Sequence, residues 1–190
     1  MFNINSIRGE YIYSLFINNK HLILDWPRQT GKSIYSLYCI FDYAINNQNS
    51  KNIVIGYDNA LINLNQKLIR SNKNKLHLIK KHTSSKIELI NGSIIVFNND
   101  IRGEFYDTIL IDEQGYTKIN PFNFLSCNSK IIVNGTSTDS KVFDNFIKEF
   151  SKIGHINKYK SNEEISNYLR LKKIEKIKEK LSKSSNFKFI

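Results

Sequence analysis

Two short clusters carry residue types and a spacing that can do chemistry: Gly31-Lys32-Ser33 and Asp112-Glu113. The first ends the segment Trp26-Pro27-Arg28-Gln29-Thr30-Gly31-Lys32-Ser33, which runs from a predicted strand into a predicted helix. In such a loop, backbone N–H groups at the helix N-terminus cradle phosphate oxygens. Gly31 permits close approach of the backbone. Lys32 supplies a point charge to the β- and γ-phosphates, and the Ser33 hydroxyl binds Mg²⁺. Pro27, Arg28, Gln29 and Thr30 complete the nucleotide-binding segment. Trp26 stands where the pattern G-x-x-x-x-G-K-[ST] has its first glycine, so spelling alone is weak support. Context strengthens it: a strand ends at Asp25, and an amphipathic helix begins after Ser33.

Asp112 follows Ser33 by 79 residues and closes the run Thr108-Ile109-Leu110-Ile111. A buried strand of this kind delivers acids to its C-terminal edge, where ligands of open α/β sheets sit. There Asp112 would hold Mg²⁺ through water or Ser33. Glu113 would orient and activate an attacking water as general base. A water-activating glutamate argues against a small-molecule kinase, whose acceptor is not water. A third strand, Lys130–Asn134, leads into Gly135-Thr136-Ser137. Small hydroxylated residues beside the carboxylate strand suit Asn134, Gly135 and Thr136 to sensing the γ-phosphate and relaying its loss.

The elements that must position these residues alternate. Strands are predicted at His21–Asp25, Asn52–Tyr57, Thr108–Asp112 and Lys130–Asn134. Helices are predicted from Gly31 to about Asn47, over Asn59–Arg70, and from Asp139 to about Lys152. Asn91-Gly92, between Lys86–Ile90 and Ser93–Phe97, predicts a hairpin. This order describes an α/β fold with a mostly parallel central sheet flanked by helices.

The 190 residues suit one domain, here 1–158, with an appended tail, 159–190. Lys and Arg total 28 against 17 acids, a net charge of +11, which favours a polyanionic partner such as nucleic acid, or an anionic membrane surface, without choosing between them. Only five of the basic residues are arginines: Arg8, Arg28, Arg70, Arg102 and Arg170. The tail predicts a basic C-terminal helix starting near Ser161, with Ile165, Leu169, Ile174, Ile177 and Leu181 as one apolar stripe. It serves either as a packed terminal helix or as an arm for DNA or a partner. Two cysteines build neither a disulfide framework nor a zinc site. No apolar run approaches the roughly 20 residues of a membrane helix, and no signal peptide is predicted.

Together these pieces resemble the ATPase domain of the large terminase subunit of tailed phages, from about residue 5 to 155. Arg28-Gln29-Thr30-Gly31-Lys32-Ser33 matches that family's loop, which lacks the first glycine. Asn91-Gly92-Ser93, Arg102-Gly103 and Ile109–Glu113 match its hairpin, its Arg-Gly pair and its carboxylate strand. Ile131–Thr136 matches its coupling motif. The resemblance implies a P-loop NTPase of the additional-strand (ASCE) type that hydrolyses ATP with Mg²⁺ to translocate double-stranded DNA into a procapsid. It implies a homo-oligomeric ring docked on the portal protein, and a phage protein working in the host cytoplasm, with no membrane partner. It also implies that Arg28 contacts the phosphates in catalysis beside Lys32 and Glu113, and that an arginine acts across the subunit interface. Arg102 and Arg70 are the candidates for that arginine.

The sequence departs from the family in two places. Members usually continue into a nuclease domain, and this tail has no matching acids. No nuclease activity is expected, and a separate nuclease or a small terminase subunit would join in. The expected adenine-binding glutamine near the N-terminus is absent, which leaves Tyr11 or Tyr13 as candidates to stack on the base. Two other functions share features with this reading: a helicase-like or DNA-remodelling P-loop ATPase, and a non-catalytic basic DNA-binding assembly module.

Overall fold

The apolar runs at 21–25, 51–55, 108–111 and 130–135 form the middle of one sheet, because residues buried on both faces read as continuous rather than alternating apolar stretches. The structure, a computed structural model, describes residues 6–56, 63–66, 68, 73–99, 105–113, 120, 128–136 and 141–184. Its strands are β1 (His21–Asp25), β2 (Lys51–Ile55), β3 (Ile79–His82), β4 (Lys86–Leu89), β5 (Ile94–Asn98), β6 (Thr108–Ile111), β7 (Lys130–Gly135) and β8 (His155–Lys158). Its helices are α1 (Ile7–Asn18), α2 (Lys32–Asn46), α3 (Lys141–Phe150) and α4 (Asn162–Ser184). A 3₁₀ helix, Lys73–Leu78, precedes β3.

The eight strands lie in the order β3-β4-β5-β2-β6-β7-β1-β8. From β5 to β8 every pairing is parallel, while β3 and β4 extend the sheet antiparallel. β7 therefore stands between the loop strand β1 and the carboxylate strand β6, and all three end on the same edge. This is the additional-strand arrangement that the family resemblance implies.

Successive strand residues point to opposite faces. Leu22, Leu24, Val54, Leu110 and Ile132 face one core with α1 and α2, into which Ile165 of α4 also packs. Ile23, Ile53, Ile109, Ile131 and Val133 face the other, against Phe143, Phe146 and Phe150 of α3. α2 buries more than the single apolar face of an amphipathic helix. Besides Ile34, Leu37 and Phe41, residues Tyr35, Ser36, Cys39, Ile40 and Ala44 are buried, because α2 is wedged between the sheet and α1.

The Asn-Gly-Ser hairpin has a structural task. Asn91 donates to the carbonyls of Ala44 and Ile45 at 2.9 and 3.0 Å, satisfying the end of α2. Gly92 has φ +84°, and a Cβ there would lie 2.1 Å from Asn49 Oδ1. Ser93 Oγ donates to the carbonyl of Asn47 at 2.7 Å.

Three elements differ from the sequence expectation. α1, β3 and β8 are not predicted, yet α1 supplies Tyr11, Ile12, Leu15 and Phe16 to the core. The helix predicted over 59–70 is described at 63–66 and 68, where it is helical; the rest lies outside the described residues. α4 starts at a capping box: Ser161 Oγ accepts from Glu164 N at 3.3 Å, and Glu164 Oε2 accepts from Ser161 N at 2.7 Å. Its apolar residues do not form one stripe. Ile165 is fully buried, but Ile174 and Ile177 are 39% and 57% exposed. Nine residues separate Ile165 from Ile174, which at 3.6 residues per turn puts them on opposite sides of the helix.

Candidate nucleotide site

The loop leaves β1 at Asp25, and Trp26 N still bonds Gly135 O of β7 at 3.2 Å. Gln29 and Gly31 then adopt left-handed backbone, φ 62° and 86°. Gly31 is the N-cap of α2 and offers no side-chain cap. The first amides of α2 are thus left for an external acceptor, and the helix dipole adds to their pull on an anion. Pro27, Arg28 and Gln29 are exposed along the loop, and Thr30 and Ser33 are half-buried. Thr30 Oγ1 pins the turn by donating to Pro27 O at 2.8 Å.

At the same edge, the side chains of β6 and β7 converge on the loop. Ser33 Oγ donates to Asp112 Oδ1 at 2.9 Å. Asn134 Nδ2 donates to the same oxygen at 2.8 Å, and Ser36 Oγ donates to Asn134 Oδ1 at 3.0 Å. Lys32 is 3% exposed. Its Nζ lies 3.3 Å from Thr136 Oγ1 and 3.2 Å from Glu113 Oε1. Thr136 Oγ1 in turn donates to Trp26 O at 2.9 Å. Glu113 has φ 53°, an uncommon backbone state for a residue with a Cβ, and 34% of its side chain is exposed. Backbone strain of this kind clusters at functional sites.

Burial raises the Asp112 carboxyl above its ordinary range, and the neighbouring Glu113 charge adds to this. Hydrogen bonds from Asn134 and Ser33, and the Lys32 charge, oppose the rise without cancelling it. A buried carboxylate beside a serine hydroxyl and an uncapped helix N-terminus is a donor set that fits Mg²⁺ with a phosphate ligand.

The structure thus brings together Gly31, Lys32, Ser33, Asp112, Glu113, Asn134 and Thr136. Gly135 sits beneath them: a Cβ there would fall 2.5 Å from the Phe143 ring. Arg70 and Arg102 lie outside the described residues. Two residues of the network escape the sequence reading. Ser36, one turn into α2, orients the Asn134 amide. Asn157 of β8 accepts from Trp26 Nε1 at 3.0 Å and donates to the Tyr11 hydroxyl at 2.5 Å. No motif marks either one; a polar residue inside an apolar-faced element is the only signal.

Trp26 explains why the loop does without its first glycine. Its side chain points into the core, fully buried, with its ring edge-on to Tyr159 at 5.4 Å. Tyr11 is 1% exposed and held by Asn157, and Tyr13 donates to Asp42 at 2.7 Å, so the structure presents neither as a free platform for a base.

No protein-family model and no curated protein sequence matches the chain. Solved structures do. The large terminase of a thermophilic bacteriophage is 16% identical, with a TM-score of 0.58 over 68% of this chain and 37% of that one. The large terminase ATPase domain of a Thermus phage is 15% identical, with a TM-score of 0.52 over 72% of this chain and 68% of that domain. The helicase domain of Hef from Pyrococcus furiosus is 14% identical, with a TM-score of 0.51 over 80% of this chain and 37% of that one. The chain thus spans little more than a third of the first terminase's length. With β7 inserted between the loop strand and the carboxylate strand, its fold is that of a P-loop ATPase core, similar to the ATPase domains of phage large terminases.

Proposed function

We propose that this chain is a DNA-packaging motor ATPase, which hydrolyses ATP with Mg²⁺ to drive double-stranded DNA into a procapsid. One observation carries the reading: Lys32, Ser33, Asp112, Glu113 and Thr136 meet in one polar web at the C-terminal edge of three parallel strands. The loop amides and Lys32 would take the β- and γ-phosphates, and Arg28 would add a second positive charge from the exposed side of the loop. Ser33 and Asp112 would hold Mg²⁺, which offsets phosphate charge when bound. Glu113, released from Lys32 as the phosphates take over that ammonium, would position the attacking water and accept its proton. Asn134, Gly135 and Thr136 would register the γ-phosphate through Asp112 and Lys32.

Charge supports the DNA partner, since a +11 chain attracts a polyanion. Residues 1–158 would form the motor core and 159–190 a basic tail. A ring on a portal protein, an arginine in trans from Arg70 or Arg102, and work in the host cytoplasm complete the proposal. A separate nuclease or a small terminase subunit would work beside this chain.

The test is Mg²⁺-dependent ATP hydrolysis with and without duplex DNA, beside Glu113→Gln and Lys32→Ala. Turnover should rise with DNA and fall by about 100-fold or more in each variant. Substantial hydrolysis in either variant would sink the assignment of these residues. The likeness to a helicase domain supports a second reading, a DNA-remodelling ATPase. Unwinding of a forked duplex by the chain would favour that reading; DNA made nuclease-resistant inside portal-bearing procapsids would favour packaging. Salt-sensitive DNA binding without ATP uptake would instead point to a non-catalytic assembly module.

A further inference from the structure

The helix α4 has two apolar faces, and the molecule covers one. In its first turns Ile165 is buried, and Tyr168 and Leu169 pack beside it on the core. Tyr168 meets the Tyr11 ring edge-on at 5.1 Å. Beyond them Leu171, Ile174 and Ile177 are 61%, 39% and 57% exposed. At about 100° per residue, these three centre on the side opposite Ile165. The body that holds the first half therefore cannot reach the second apolar face by bending the helix towards itself.

The charges around that face have a sign. Residues 170–179 hold five basic side chains against two glutamates. Arg170 and Lys178 fall among the three aliphatic residues by the same helical arithmetic, and Lys173 falls at their edge. Glu175 falls at the opposite edge, where Lys172 neutralises it at 2.8 Å. Arg170, Lys173 and Lys178 make no ion pair among the described residues.

We infer that the exposed face of α4 around Leu171, Ile174 and Ile177 docks an acidic amphipathic helix of a partner protein. Such a helix supplies aliphatic knobs for the three residues and carboxylates for Arg170, Lys173 and Lys178. A second copy of this chain would lay one basic face on another. A nucleic-acid duplex would satisfy the cations and bury no aliphatic surface. An anionic bilayer would have to accept Arg170 and Lys178 among the aliphatic side chains themselves.

The probe is a fluorescein-labelled synthetic helix with leucine at heptad a and d positions and glutamate beside them. Its twin carries lysine in place of the glutamates. Anisotropy against the full chain should show saturable binding of the glutamate peptide, at least about tenfold tighter than the lysine twin, and weaker as salt rises. The double variant Ile174→Asp/Ile177→Asp should lose this binding, and Ile174→Leu/Ile177→Leu should keep it. Both positions are exposed, so the melting temperature should stay unchanged, separating lost docking from lost fold. Absence of saturable binding, or binding indifferent to the aspartates, overturns the inference. So does a contact with duplex DNA, phosphatidylserine vesicles or a second copy of the chain that the aspartates abolish while the peptide stays unbound. None of these readouts requires ATP, so their outcome is independent of the catalytic assignment.

Discussion

Asp112 is held in a state that suits a cation better than it suits the resting fold. Its carboxylate is buried, and Ser33 and Asn134 both donate to one of its oxygens. Burial still leaves the carboxyl raised, so the charged form costs folding energy when no metal balances it. Asn at this position would keep an oxygen for both donors and remove the charge. Asp112→Asn should therefore raise the melting temperature in EDTA, lose any added stabilisation by Mg²⁺-ATP, and turn over at the background rate. Differential scanning fluorimetry with a phosphate-release assay checks all three. A lower melting temperature without metal would show that the charge stabilises the resting protein. This is the ordinary conflict between stability and activity at a charged site.

At the scale of elements, the loop is tied to the far edge of the sheet and to the tail. Trp26 bonds Asn157 of β8, Asn157 bonds Tyr11 of α1, and Tyr11 packs on Tyr168 of α4. Asn157→Leu would leave the indole N–H and the tyrosine hydroxyl unpaired and buried, costing about 1–3 kcal/mol for each stranded group. Trp26 is the chain's one tryptophan, so its emission reports this contact without labelling. In Asn157→Leu that emission should shift, ATP should bind more weakly, and the melting temperature should fall. Unchanged emission with lowered stability would show that the loop does not feel β8. The strands that carry the site were legible because each is buried on both faces and reads as an apolar run ending in functional residues. β3 and β8 were not: Ile79–His82 has three exposed residues, and the one fully buried side chain of β8 is the polar Asn157. α1 was missed because Arg8 and Gly9 break into the side that Tyr11, Ile12, Leu15 and Phe16 bury. The tail helix was legible as a helix, but its apolar residues were read as one stripe although they turn through half a circle between Ile165 and Ile174. The site itself was legible wherever a motif names the residue, and silent at Ser36 and Asn157, which act only through other side chains.

Stability belongs to the whole molecule, and two histidines give it a pH dependence. His21 and His155 lie on adjoining strands β1 and β8, where Leu22 pairs with His155. The half-buried His21 ring is lowered below the ordinary histidine range by desolvation, and Lys20 and Lys130 add to this; His155 is exposed on its strand, and partial desolvation with the Lys160 charge lowers it in the same direction. The unfolded chain, with histidines near pKa 6.5, therefore binds more protons than the folded one just below that pH. Their contribution to stability is complete above about pH 6.5 and is lost as pH falls through the unfolded value towards the lower folded values. Chemical denaturation between pH 7.5 and 5.5 should show this decline, and His21→Gln/His155→Gln should flatten it. An equally steep decline in the double variant would assign it to other groups.

The fit of Gly135 against α3 bears on how a shift at the site would spread through the fold. The place where a Cβ would stand is already taken by the Phe143 ring, which is fully buried and stacked on Phe146. There is no slack at this joint. A displacement of the strand end towards the helix meets the ring before any empty space. It must be handed to the helix, as in a gear train cut without backlash.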